Sequence, residues 1–241
     1  ASATEMCNNN GACRKRDAGV MCPSFRATND EQHLTRGRAN SLRLALSGQL
    51  GTDALTSDEM AETMKLCVGC KGCKRECPTG VDMARMKTEF LYQYQKQNGL
   101  KLFDRLVAYL PRYAPWAARF SGILNLRDQG PGAALLSQWI TGFSAKRRMP
   151  QWAKSTFVEP VEDPGTPDVI LWADTFSRYF EPENLNAAVQ VLRAGGYKVQ
   201  FAKPADGGRA LCCGRTFLAS GLIDEARTEA RRVLESFAPH I

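Results

Sequence analysis

The chain has 241 residues, enough for one large or two modest domains that each bury a core. Its 32 Lys and Arg against 25 Asp and Glu leave a net charge of +7, and no run approaches the ~18 apolar residues that a membrane span needs. The start of the sequence lacks the apolar stretch of a secretory signal, so a cytoplasmic protein is expected, with peripheral attachment to an inner membrane as the open alternative.

Taken in chain order, residues 1–98 carry most of the cysteines and read as helical. Cys7, Cys13 and Cys22 lie in CNNNGACRKRDAGVMCP, and Cys67, Cys70, Cys73 and Cys77 lie in CVGCKGCKRECP. Thr28 with Glu31 resembles a capping box that opens a helix through Leu34, Leu42, Leu44 and Leu46 and stops near Gly48. Thr56 with Glu59 is a second such signal, starting a short helix that delivers Cys67. After Pro78 the spacing predicts a helix from about Val81 to Gln97 that buries Met83, Met86, Phe90, Leu91 and Tyr94.

Residues 99–160 are aromatic and interrupted by Pro111, Pro115, Pro131 and Pro150, which predicts a connector of short helices. Residues 161–241 change period: DVILWAD is a strand, ENLNAAVQVLRAGG a helix and YKVQFA a second strand, together a βαβ unit. A last helix is expected from about Leu222 to Phe237, and the α/β part, short of strands, is expected to be a truncated half-domain.

The chemistry is concentrated in the cysteines. Seven of the nine fall into two closely spaced motifs, which in a reducing compartment indicates metal binding over disulfides. The run from Cys67 to Pro78 has the C-x2-C-x2-C-x3-C-P spacing by which ferredoxins hold 4Fe-4S clusters, whereas structural zinc sites pair two knuckles across a longer loop. In the two-cluster arrangement the fourth cysteine of each motif serves the other cluster. This crossing predicts one complete 4Fe-4S set from Cys67, Cys70, Cys73 and Cys22, and a second set from Cys7, Cys13 and Cys77.

The second set is one ligand short because Asn10 stands where the middle cysteine belongs. A 3Fe-4S cluster, a 4Fe-4S cluster with a labile iron, and no cluster all remain open there; Asn10 as a simple turn residue is the bland alternative. His33 is near enough in sequence to be a candidate ligand, although a histidine so placed more often lies on a helix surface. The basic clusters Arg14-Lys15-Arg16 and Lys71 with Lys74 and Arg75 fall between the cysteines, where cations would stabilise an anionic cluster.

The segments from Met6 to Leu46, CVGCKGCKRECPTGVDMARMKTEF, DTFSRYFEPENLNAAVQVLRAGGYKV and LCCGRTFLASG together resemble the iron-sulfur part of FAD-linked 2-hydroxyacid dehydrogenases. That group oxidises D-2-hydroxyglutarate, D-lactate or glycolate. The resemblance implies a mainly α fold: an alpha-helical ferredoxin domain at 1–98, a helical connector at 99–160 and an incomplete α/β CCG (cysteine-rich) domain at 161–241. It implies that FAD on another region takes electrons from the hydroxy acid and that the clusters pass them to a downstream acceptor, a quinone or a carrier protein. Cys212-Cys213-Gly214 matches the CCG motif, which implies a further metal site, but Asp174-Thr175-Phe176 stands where many such domains carry an earlier cysteine.

No G-x-G-x-x-G, P-loop or G-x-S-x-G motif is present, and His33 and His240 are the only histidines, so the chain itself is expected to carry no catalytic residue and no FAD site. The expected partner is the FAD domain of the same enzyme, with self-association open and no membrane span. A separate subunit feeding a membrane quinone, as in anaerobic glycerol-3-phosphate dehydrogenase, is the second reading. A zinc-containing or cluster-containing nucleic-acid module is the third, disfavoured because no recognition motif accompanies the basic residues.

Overall fold

The computed structural model describes residues 1–240 and is mainly α-helical, with one two-stranded sheet among the described residues. The chain separates into two compact units, one made of Ala1–Leu100 with Ala219–Ile223, the other of Lys101–Leu218 with the C-terminal helix from Asp224.

In the first unit three helices frame the cysteine loops. The Thr35–Leu46 helix buries Thr35, Arg38, Ala39, Leu42 and Ala45, a stripe at helical spacing. It does not begin at Thr28, which instead ends the short Pro23–Thr28 helix; Asn29 then takes a left-handed conformation and Asp30 caps a tight turn by accepting from the Gln32 amide. The capping signal was real but belonged to this intervening turn. The next helix, Asp58–Lys65, is capped by Ser57, whose hydroxyl accepts from the Met60 amide at 3.2 Å.

The Met83–Asn98 helix is the central buttress. Asp82 caps it by accepting from the Arg85 amide, and Met83, Met86, Phe90 and Tyr94 are buried along one face. Each such side chain is worth roughly 1.5–3 kcal/mol on burial, so this face, with Leu34, Met64 and Val81 fully enclosed beside it, dominates the stability of the unit. Tyr94 donates its hydroxyl to Asp58 at 2.6 Å, so this polar group does not go unpaired against the core. The excursion at 219–223 belongs to the same unit. Gly221, at φ 79°, packs so closely that a Cβ would lie 2.6 Å from that of Leu91.

The second unit begins with short helices at Leu102–Ala108, Leu110–Ala117 and Pro131–Thr141. Pro111 and Pro131 sit in first turns, where a missing amide costs nothing, whereas Pro115, expected to break a helix, lies inside Leu110–Ala117, near enough to its end that the helix stops two residues later. The strands β1 (Val169–Leu171) and β2 (Val199–Phe201) pair in parallel, Val169 opposite Val199 and Leu171 opposite Phe201. The Pro182–Ala194 helix connects them, so the predicted βαβ unit is present. Its core gathers Phe157, Ala173, Leu185, Val189 and Phe201. The Ile223–Phe237 helix closes the chain and buries Glu229, which three arginines surround: Arg112 at 3.9 Å, Arg232 at 3.2 Å, and Arg209 in a two-pronged contact.

Candidate metal centre

The loop that follows the Asp58–Lys65 helix turns twice through left-handed backbone, at Gly69 (φ 65°) and Lys71 (φ 60°), before Gly72–Glu76 forms one helical turn. This path brings Cys67, Cys70 and Cys73 around a common opening. Lys87 holds its start by donating to the Cys67 carbonyl at 2.6 Å, and Asp82 holds its middle through Lys71 Nζ at 3.2 Å.

Cys22 reaches the same opening from far away in sequence. Glu76 accepts from the Val20 amide at 2.7 Å and the Met21 amide at 3.0 Å, clamping the strand before Cys22 onto the Gly72–Glu76 turn. Those amides also hold the Glu76 carboxyl below its ordinary range. The result is a small cavity of about 20 Å³, open to solvent at its mouth, whose wall includes Cys22, Cys67, Cys70 and Cys73 together with Thr35 and Arg38. The four thiols of the predicted complete set are therefore brought together, one of them from the other motif.

Their electrostatics differ. Burial pushes the Cys22 thiol up, but the Ser24 hydroxyl and the Arg38 guanidinium outweigh it and leave the group below its ordinary range. Burial prevails at Cys73 and raises it. A thiolate is the form that ligates iron, so Cys22 is prepared for the role. Four soft sulfur donors, three of them in ferredoxin spacing on one loop, suit an iron-sulfur cluster. Among the described residues no three His, Cys, Asp or Glu side chains converge tightly enough to hold a single metal ion.

The second predicted set is less closed. Cys7 and Cys13 are buried in the same core and lie near enough for the charge of one to raise the other, although burial is the main cause of the rise at Cys13. Cys77 stands half-buried; burial pushes its thiol up, yet the Thr79 hydroxyl at 3.3 Å and the amides of Val81, Thr79 and Gly80 bring it below its ordinary range. Asn10 is exposed and occupied locally. Its side-chain oxygen accepts from the Ala12 amide at 2.8 Å and its side-chain amide donates to Asn8 at 2.6 Å, the bonding of a turn that leads into Cys13. The His33 carbonyl faces the other set, accepting from Ser24 at 2.8 Å and Arg38 at 2.7 Å, while its Nδ1 is buried without a partner.

Sequence reasoning passed over Arg38. The basic residues it singled out are exposed, and three of the six pair with carboxylates: Arg14 with Glu31 at 3.2 Å, Lys71 and Lys74 with Asp82 at 3.2 and 3.7 Å. Arg38 is fully buried against the cavity. An arginine in the apolar stripe of an amphipathic helix was the available signal.

In the second unit Cys212 is buried and Cys213 exposed, and the Gly214 amide donates to Cys212 Sγ at 3.4 Å. The Cys212 thiol donates to Cys213, which lowers Cys213 to about 6 and raises Cys212. Gly214 is required here: at φ 73° its added Cβ would lie 2.8 Å from the Ala226 carbonyl. Asp174 acts on Cys213 with its charge, which opposes the lowering by Cys212.

Residues 3–81, which hold both cysteine motifs, match the family described as 4Fe-4S dicluster domain. Beyond that segment, the chain is similar to D-2-hydroxyglutarate dehydrogenases: that of Pseudomonas putida is 26% identical over 85% of this chain and 25% of the relative. Those of Pantoea ananatis and Escherichia coli K12 are each 30% identical, over 57% and 55% of this chain and 16% of each relative. The resemblance seen in the sequence is thus supported by homology, and the chain spans a quarter or less of the length of these curated relatives. No solved structure matches.

Proposed function

We propose that this chain is the electron-transfer module of an FAD-linked 2-hydroxyacid dehydrogenase, of the D-2-hydroxyglutarate, D-lactate or glycolate type. In this reading Cys22, Cys67, Cys70 and Cys73 hold a 4Fe-4S cluster, and Cys7, Cys13 and Cys77 hold a second, of three or four irons. The observation that carries it is the meeting of Cys22 with the Cys67–Cys73 loop around one cavity, the crossing that two-cluster ferredoxins use. A bound cluster supplies one-electron acceptance, which lets a pair divide the two electrons of a reduced flavin. The residues of this chain contribute ligation and the local field, and the oxidation of the hydroxy acid belongs to a flavin region. Residues 1–98 would form the ferredoxin domain, 99–160 a connector and 161–241 the CCG part, with Cys212 and Cys213 as a further metal site.

The test is activity in the whole enzyme: substitution of Cys67 by Ser should leave flavin reduction by the hydroxy acid intact and abolish electron delivery to an external acceptor. Loss of flavin reduction itself would contradict the assignment of the chain as a wire.

A separate subunit feeding a membrane quinone is favoured by one observation. Trp116, Ile123, Leu135, Leu136 and Trp139 are all exposed, Trp139 at 84%, and Arg119 stacks on Trp116. Aromatic and basic groups of this kind suit an interfacial surface, and no described helix is long and apolar enough to cross a membrane. Liposome flotation with anionic and neutral lipids separates the two readings. The partners are then the flavin region and either a quinone or a soluble carrier.

A further inference from the structure

Arg38 has no exposed surface and no carboxylate within ion-pair distance among the described residues. Its nitrogens donate only to neutral or thiol acceptors: Nε to the Thr63 carbonyl at 2.9 Å, one terminal nitrogen to the His33 carbonyl at 2.7 Å and Cys22 Sγ at 3.8 Å, the other to Ser24 Oγ at 3.1 Å. Its hydrogen-bonding capacity is therefore largely met while its charge is not. A buried guanidinium stays protonated, and an uncompensated buried charge is strongly destabilising. Its place in the first turns of the Thr35–Leu46 helix adds to the cost, since a cation there opposes the helix dipole. The one direction in which it can find negative charge is the cavity bounded by Cys22, Cys67, Cys70 and Cys73.

Arg36, two residues earlier, makes the contrast. It acts on Cys13, in the other cysteine set, but is bonded to the Glu31 carboxylate, so its positive charge is shared. The same helix also carries Arg43, which donates to the Cys7 carbonyl at 2.7 Å without a carboxylate partner among the described residues, so the second set has its own cation nearby, though one bonded to backbone and not to a thiol.

We propose that Arg38 is the dedicated counter-cation of the cluster held by Cys22, Cys67, Cys70 and Cys73, acting as a positioning residue that favours the reduced form of this cluster. The proposal rests on the assignment of those four cysteines as cluster ligands. Reduction adds one electron and makes the cluster more negative, while the guanidinium keeps its proton; a fixed buried cation therefore favours the reduced form.

The test is a dithionite redox titration of the anaerobically purified whole protein, followed by EPR, for wild type, Arg38→Gln, Arg38→Lys and Arg36→Gln. Arg38→Gln is expected to lower the reduced-to-oxidised ratio of the four-cysteine cluster about tenfold at fixed potential, equivalent to about 59 mV for one electron. Arg38→Lys should retain most of the wild-type ratio, and Arg36→Gln should leave this cluster unchanged. Loss of the cluster in Arg38→Gln with retention in Arg38→Lys would equally support a charge requirement. An unchanged potential in Arg38→Gln, or equal loss in both variants at native helical content, would overturn it. Absence of iron and sulfide from the wild type would instead defeat the cluster assignment, a distinct result.

Discussion

Replacement of Gly37 by Ala puts the packing around the four-cysteine cavity to the test. Gly37 lies in the first turn of the Thr35–Leu46 helix, against the 31–33 turn, and a Cβ there would sit 2.0 Å from the Glu31 carbonyl oxygen. A carbon seldom approaches a carbonyl oxygen closer than about 3.3 Å, so backbone must separate by about 1.3 Å. Forced overpacking costs about 1–3 kcal/mol, and the gain of Ala over Gly in a helix returns about 1 kcal/mol. The net loss should be about 0–2 kcal/mol against wild type and about 1–3 kcal/mol against a helical Gly→Ala control that takes the propensity gain without the clash, small enough for the protein to fold. The displaced turn carries the His33 carbonyl that both Ser24 and Arg38 grip, so the cluster should also become more labile. Urea midpoints measure the first effect and the rate of iron loss to a chelator the second. Gly122→Ala is the control, because a Cβ there meets nothing within 4 Å. If Gly37→Ala were as stable as the control, the packing described here would be wrong.

Other outcomes follow from the same geometry. Asn10→Cys should raise the iron content by about one per chain if the second set lacks only that ligand; unchanged iron would locate the missing ligand elsewhere. Glu229→Gln leaves Arg112, Arg209 and Arg232 without their buried carboxylate and should cost roughly 3 kcal/mol, near the lower end for a broken buried pair because two of the arginines are part-exposed; chemical denaturation measures it. Asp82 is pushed up by partial burial, but the Arg85 amide and Lys71 outweigh that and hold it below its ordinary range. Its stabilisation is thus present above the unfolded carboxyl pKa of ~3.9 and lost as pH falls through the lower folded value. Asp82→Asn keeps the cap, so the stability gap to wild type should be full at neutral pH and close in acid.

Much of this was legible beforehand, for physical reasons. Met83, Met86, Phe90 and Tyr94 repeat at helical spacing because one face must be buried, and that spacing located the buttress helix to within two residues at its start. The βαβ unit was visible because Val169–Leu171 and Val199–Phe201 are apolar runs flanking an amphipathic helix. The spacing of Cys67 to Cys77 carries its chemistry locally, and the crossing to Cys22 followed from the same rule. What stayed hidden depends on groups distant in sequence. The Glu76 clamp joins positions more than fifty apart. Arg38 gave only a weak signal, a charge in the apolar stripe of a helix, and its place beside the cavity comes from the fold. The helix after Thr28 was misplaced because capping residues occur in succession, and only backbone geometry decides which of them is used.

The central claim is that Cys22 completes the cluster begun at Cys67. Anaerobic purification of wild type and Cys22→Ser, with iron and acid-labile sulfide quantified and EPR recorded after reduction, tests it most directly. Wild type should contain about seven to eight irons per chain with matching sulfide, and Cys22→Ser should lose the reduced 4Fe-4S signal while keeping any signal from the Cys7, Cys13 and Cys77 set. Zinc without sulfide in the wild type, or a reduced 4Fe-4S signal untouched by Cys22→Ser, would contradict it.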